Sequence, residues 1–488
     1  MSAPTISELE RLTKWPPPTA PNRVSQDGFW ETLDELCARL KPLCANAVDS
    51  LEVAAGLESD GLSDQMARVR YGFPDVFSLA EDMYHRTVRQ PAEPAPKPSP
   101  WRSPVGRHLL HGLLFGLPAL CYPVAGSVMG GRGALIVLVV SMLTAWPISQ
   151  AVSYLGHARR SRLDVDGSRR LLRGALPIAL GLLIAVTLPT ALLLGQSGPV
   201  LWFALGQGGY LLGATVLLVC GADWWLAAAL APGVLVSTLY LVAGRPAWSH
   251  PVAWLAIGAS LALTLAFAVI RTSWPRPGRS ARPFRLTELL AGWPSGSFGL
   301  LVAGLLLFPL LAARFAHGGQ SIGTASLLGT LPLSLSMGIA EWRLYGYRGR
   351  IEKVMRRTGA LAEFGRRATL VLTGVLAEYL LGATVLLIGV VALAELAGIH
   401  PQWTDFPAYL GYLVLGGALF LALLVQVCVG AVSILGWCAA ALAAEIALVI
   451  CAPHVPVLHV QLVVATGMAL ALLWHGAITL SRASRHAA

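Results

Sequence analysis

PVLWFALGQGG, residues 199–209, and PAYLGYLVLGG, residues 407–417, decide the fold. Each opens on a proline, runs through an apolar stretch and reaches a glycine pair nine residues on, Gly208–Gly209 and Gly416–Gly417. A second match follows at a similar offset: WLAAALA at 225–231 and WCAAALA at 437–443 agree at six of seven positions. Ala, Leu and Gly dominate the chain, so one such match arises easily by chance. Two matches, in order and in corresponding apolar segments, argue for a duplicated half.

Composition sets the environment of those halves. Only 13% of the 488 residues are charged, 55% are hydrophobic and the mean hydropathy is +0.63, whereas a soluble domain carries about 25% charged residues. The sequence is that of an integral membrane protein. From residue 107 onward twelve segments are long enough to span, since about 20 apolar residues cross the hydrocarbon. They fall at 107–128, 133–155, 174–195, 199–220, 224–243, 251–270, 286–313, 323–344, 368–394, 407–428, 431–452 and 456–480. The expected fold is all-α, with two pseudo-symmetric six-helix lobes at 107–270 and 286–488 joined by the stretch 271–285. Each lobe has an even number of spans, so the lobes would be related by an axis along the membrane normal and enclose a cavity.

Charge gives the orientation. Twenty-three Lys and Arg of the membrane part fall on one side of this topology, and only Arg132, Arg245 and Arg314 on the other. The positive-inside rule then places both termini in the cytoplasm and the chain in the cytoplasmic membrane. A formal net charge of +10 also raises nucleic acid as a partner. Topology accounts for the basic residues instead, and no nucleic acid is expected. Residues 1–100 are acidic, with a net charge of −5. Within them 1–90 read as a small helical domain, in which 28–40 and 74–89 are the clearest helices and Ser63 or Asp64 caps a third. A proline-rich spacer at 91–106 follows. Seven cysteines lack metal or redox spacing and read as packing residues.

Two six-helix lobes, long basic helical loops after segments 2 and 8 and a modest link between lobes resemble the multidrug/oligosaccharidyl-lipid/polysaccharide flippase superfamily. The resemblance covers roughly 105–485 and is one of layout. It implies a transporter that moves a lipid-linked or polymeric glycan, or another amphiphile, by alternating access. Neither this layout nor the six-plus-six plan of the major facilitator superfamily includes a domain such as 1–90.

Ionisable groups inside a bilayer are functional candidates by default. Glu378 in VLAEYLL is expected near mid-depth, Glu445 in AAEIALV beyond it and His475 in LLWHGAI in the inner part of the last segment. These three are the ion-coupling candidates, each against the alternative of a buried side chain satisfied by a neighbouring helix. At the end of segment 8, Glu341, Trp342 and Arg343 are expected at the cytoplasmic interface, as an anchor or a gate. Glu341 would pair there with Tyr345 or with basic residues of the 2–3 loop. Gly208, Gly209, Gly416 and Gly417 are candidates for helix flexibility or close packing. The stretch 350–367 is a candidate amphipathic helix on the lipid surface. Asp164-x-Asp166 is a weak match to a nucleotide-sugar motif. No constellation of an enzyme, metal site or cofactor site emerges. The expected function is transport, with the lipid bilayer, a glycan substrate and a cytoplasmic protein docked on 1–90 as partners. The other readings are a membrane scaffold that recruits partners through 1–90 and a membrane-embedded glycan-modifying enzyme.

Overall fold

The computed structural model describes residues 31–87, 104–126, 131–196, 198–244, 249–273, 288, 290–315, 324–358, 360–396, 400 and 406–482. The spacer over 91–103, the stretch 274–285 and the helix start at 28–30 lie outside the described residues. The described chain is helical, with no strand, and falls into two compact units.

The described residues of the smaller unit form five short helices: α1 (Leu33–Arg39), α2 (Lys41–Asn46), α3 (Ser50–Ser59), α4 (Asp64–Tyr71) and α5 (Val76–Arg86). Side-chain caps start four of them. Thr32 and Glu35 form a reciprocal capping box on α1, while Asp49, Ser63 and Asp75 accept from backbone amides of α3, α4 and α5. Gly72, at φ +76°, ends α4 in the left-handed conformation that glycine adopts without a Cβ penalty. Leu36, Val53, Leu57, Leu79 and Met83 are completely buried and form the core. Tyr84 Oη ties α5 to the Val48 carbonyl at 2.7 Å. Phe77 is half exposed, because it sits to one side of the buried Val76–Leu79–Ala80–Met83 stripe.

The Asp75 cap makes this unit sensitive to acid. The backbone amide of Ser78 donates to its carboxylate at 2.7 Å and holds its pKa below the ordinary aspartate value. A depressed folded value means that the stabilisation is complete above the unfolded pKa and fades as pH falls through the folded one. Acidification below about pH 4 should therefore loosen α5 before α4, whose Ser63 cap does not titrate. Backbone-amide exchange along the two helices measures this, and Asp75→Asn should remove the difference.

The described residues of the larger unit form twelve long helices. They are α6 (Val105–Ala125, with a 3-10 turn at Leu117–Cys121), α7 (Arg132–Ser161), α8 (Val165–Leu193), α9 (Gly198–Val219), α10 (Asp223–Val242) and α11 (His250–Ser273). The second series is α12 (Trp293–Phe315), α13 (Thr324–Arg357), α14 (Leu361–Leu396), α15 (Phe406–Val429), α16 (Val432–Cys451) and α17 (Val457–Leu480). Eleven are long and apolar enough to cross a membrane. The exception is α13, on which the eighth expected segment falls. Its Ser, Thr, Gly and Pro residues and the run Glu341–Trp342–Arg343 dilute its apolar character, and it packs among α6, α14 and α15.

The two long basic stretches expected as helical loops are helical, and they continue the flanking spans rather than standing apart from them. α7 and α8 are separated by residues 162–164, and α13 and α14 by residues 358–360. Arginine is a good helix former and is well hydrated beyond the lipid. Such helices can therefore continue past the span and turn back at its arginine-rich end. The apolar side of 350–367 packs inward, with Ile351 and Phe364 buried in the same core as Tyr347 and Leu372. That side is covered by protein rather than presented to a lipid surface. Asp164 accepts from the Gly167 amide at 2.8 Å and caps α8, and Asp166 pairs with Arg169, so the Asp-x-Asp pattern is a helix start.

Within α6–α11 the principal neighbours are α7 with α8 and α9; α8 with α9 and α11; α9 with α10 and α11; α10 with α11; and α6 with α10 and α11. Within α12–α17 they are α13 with α14 and α15; α14 with α15 and α17; α15 with α16 and α17; α16 with α17; and α12 with α16 and α17. The two groups of helices meet along two seams, α6 against α13 and α7 against α12.

Candidate functional site

Small residues bring the seam helices together. A Cβ on Gly112 of α6 would lie 2.6 Å from the Leu335 carbonyl oxygen, and one on Gly338 of α13 would collide with the His108 carbonyl. These helices cross with their backbones in contact, a geometry that only glycine permits. The α7–α12 seam has the same character, with Gly292 and Gly296 against Ala151 and Pro147, and Gly299 against Gln150. All four seam helices carry proline: Pro118 and Pro123, Pro147, Pro309 and Pro332. Each proline removes a backbone hydrogen bond and favours a bend.

Beside the Gly112–Gly338 crossing lies a chain of titratable groups that joins the two series of helices. His111 Nδ1 donates to Glu341 Oε2 at 2.5 Å. On the other edge of the ring, Nε2 lies 3.3 Å from Asp223 Oδ2 at the start of α10. Asp223 accepts from Arg107 Nε at 3.1 Å. His108, one turn before His111 and almost completely buried, places its Nδ1 3.4 Å from the same Glu341 oxygen and its ring 5.3 Å from Tyr345. Arg107, Asp223 and the His111 ring thus belong to the first series of helices, and Glu341 to the second. At the same end, Arg159 of α7 donates to Glu288, just before α12, and to the Gly167 carbonyl.

Glu341 is therefore a seam residue. Its partners are the α6 histidines rather than the basic residues between α7 and α8, and Tyr345 packs on His108. Trp342 carries the Arg343 guanidinium 3.7 Å above its ring centroid. Arg343 also donates to Glu378 Oε2 at 2.5 Å, and Arg350 reaches both oxygens at 2.8 and 2.9 Å. Glu378 is thus clamped by two arginines of α13 instead of standing alone at mid-depth. The 18 residues of α14 beyond it, Tyr379–Leu396, rise about 27 Å, close to the hydrocarbon thickness. That length puts Glu378 at the arginine-rich edge of the span.

Glu445 is different. It is completely buried in α16, and neither carboxyl oxygen has a hydrogen-bond partner among the described residues. Gln461 of α17 is buried in the same unsatisfied state. His475 is half-buried and lies 6.2 Å, ring to ring, from Trp437. Gly208, Gly209, Gly416 and Gly417 sit within unbroken helices. A Cβ on Gly208 would meet Leu183 of α8 and Ser141 of α7; one on Gly416 would meet Tyr379 of α14 and Leu333 of α13. These are close-packing positions.

The sequence reading did not find His108, His111 or Asp223. Their partners lie more than a hundred residues away, so no local spacing joins them. The one local sign is the pair of histidines three apart in RHLLHG, which puts both on one face of a helix. Among the described residues no group of three or more His, Cys, Asp or Glu is arranged to hold a metal ion.

Comparison with family models, curated proteins and solved structures gives no match. The class of the protein rests on its fold: an all-helical, multi-pass membrane protein.

Proposed function

We propose that this chain is a membrane transporter in which two six-helix lobes, α6–α11 and α12–α17, rock about the α6–α13 and α7–α12 seams. The observation that carries the reading is the pattern of helix neighbours. Adding six to each helix number converts every principal pair of the first series into one of the second, and exchanging the two series in this way, six added to α6 and six taken from α13, converts the α6–α13 seam into the α7–α12 seam. The Gly208 and Gly416 environments correspond in the same way, α7 and α8 in one lobe becoming α13 and α14 in the other. Parallel repeats of this kind suit alternating access. α13 then serves as the twelfth span, with protein rather than lipid around its polar face. The basic hairpins face the cytoplasm of the cytoplasmic membrane, and the acidic unit serves to bind a cytoplasmic partner.

The substrate class follows from the layout resemblance to flippases: a lipid-linked or polymeric glycan, or another amphiphile. Removing the protein from its cells tests this. The expected result is accumulation of one envelope glycan or lipid-linked precursor on the cytoplasmic face, and an unchanged envelope would contradict it.

A second reading, a membrane scaffold, is favoured by how tightly the helices pack. Among the described residues two cavities each have water-accessible space of about 10 Å³, room for about one water molecule, and Glu378 lines neither.

A further inference from the structure

We infer that His111 is the proton-binding site of this transporter: with the ring protonated, Glu341 is latched to the first lobe; with it neutral, the arginine-rich end of the seam is free to open. The inference rests on the two-lobe reading above and adds the coupling ion and the residue that carries it.

An ionised carboxylate has acceptors only, and a neutral imidazole has one donor. Here a carboxylate oxygen faces each nitrogen, Glu341 Oε2 at 2.5 Å and Asp223 Oδ2 at 3.3 Å. The neutral tautomer that donates from Nδ1 to Glu341 would turn the Nε2 lone pair toward Asp223, setting negative charge against a lone pair. A proton on Nε2 converts that repulsion into attraction. It also makes the Glu341 contact an ion pair, and charge-assisted hydrogen bonds are roughly twice as strong as neutral ones. The geometry is that of the imidazolium.

Next comes the placement. Asp223 is fixed within the first lobe by Arg107, so the His111 ring is anchored on that side whatever the second lobe does. Glu341 is the moving partner. Its side chain and that of Arg107 are each about a quarter exposed, which gives the site contact with water at the arginine-rich end. On opening, the Nε2 proton leaves to that water and its bonding pair stays in the ring as the lone pair. Glu341 then keeps a single hydrogen bond to a neutral ring and repels Asp223 with no cation between them. The Gly112–Gly338 crossing, one residue from His111, supplies a contact with no side chains to interlock.

Other charged groups surround the site. Arg107 and His108 lie on its own helix, Asp223 comes from α10, and Glu341 and Tyr345 come from α13. His157 of α7 interacts electrostatically with Glu341, and Arg160 with Arg107. α11 meets α6 at Tyr122–Ala125, toward its opposite end. His108 is the competing candidate, since its Nδ1 shares the Glu341 oxygen. Its contact is longer, at 3.4 Å, and no second carboxylate faces its ring among the described residues.

The test measures the latch without a substrate. Spin labels at Val105→Cys and Gly346→Cys, in a chain with the seven native cysteines replaced, report the α6–α13 separation in phosphatidylcholine vesicles. Pulsed electron resonance would follow it from about pH 5 to about pH 9, which brackets the ordinary histidine value. The expected result is one short distance in acid, giving way to a longer one as pH rises. His111→Gln should show the longer distance at every pH, while His108→Gln should keep the titration. Glu341→Gln, which changes the second-lobe partner and leaves the ring intact, should shift the population toward the longer distance in acid. A pH-dependent distance that survives His111→Gln would overturn the His111 assignment and leave the moving lobes standing. A single distance at all pH values and in every variant would overturn both the latch and the two-lobe motion.

Discussion

Gly338→Ala should destabilise the protein by about 1–3 kcal/mol or more, the usual cost of overpacking a tight core. In most helix interiors the same change is favourable, by about 0.5–1 kcal/mol, because glycine loses more backbone freedom on folding. The sign reverses here because the new methyl group would overlap the His108 carbonyl and stand 3.0 Å from the Gly112 Cα, both backbone atoms of α6. Neither can rotate away, so the two helices must separate. Gly346, two turns further along α13, provides the control, since a Cβ there meets nothing within 4 Å. Gly346→Ala should gain stability where Gly338→Ala loses it. Thermal unfolding in detergent compares the two, and shifts in the same direction would show that α6 and α13 do not cross at backbone contact.

The second large effect concerns Glu445. Most substitutions destabilise, and replacing a buried charged residue by a hydrophobic one is ordinarily suspect. Glu445→Leu should do the opposite and add about 1–3 kcal/mol, the cost of burying a polar group without a hydrogen-bond partner. Leucine is close to glutamate in size, and Ile434, Cys438 and Val449 on the same helix are already packed against apolar neighbours. Unfolding of the purified variant measures the gain. A loss of similar size would mean that the carboxyl group has a partner outside the described residues. A gain in stability accompanied by failure to complement a deletion strain would mark Glu445 as a residue kept for function at the expense of stability.

Much of the fold was legible because apolar length and charge placement are strong signals in a membrane protein. Each of the twelve expected segments falls on a long helix, and the boundaries differ mainly where arginine-rich ends extend α7, α8, α13 and α14. Those ends were read as helical loops separate from the spans, whereas they continue the spans: charge ends the lipid-embedded part and not the helix. The polar character of α13 also followed from the sequence, in the run around Glu341. What it means did not, because the partners of Glu341 are His108 and His111, some 230 residues earlier. Glu378 was visible as an acid in an apolar run. Its neutralisation by Arg343 and Arg350 depends on α13 running unbroken through residues 344–350, whereas the sequence reading ended the span at 344 and set 350–367 apart on the lipid surface. Pairing across helices is the information that a single sequence withholds.

The central claim is that the two lobes part and close along their seams, and accessibility of the seam itself tests it most directly. Single cysteines replacing Gln150 of α7 and Leu335 of α13 would face Gly299 and Gly116 of the opposite lobe. In right-side-out and inverted vesicles, a membrane-impermeant maleimide should reach both positions from each side in turn, with rates that respond to pH. If neither cysteine reacts from either side, while an exposed control such as Leu163→Cys labels fully, the seams are permanently closed and the transport account is wrong.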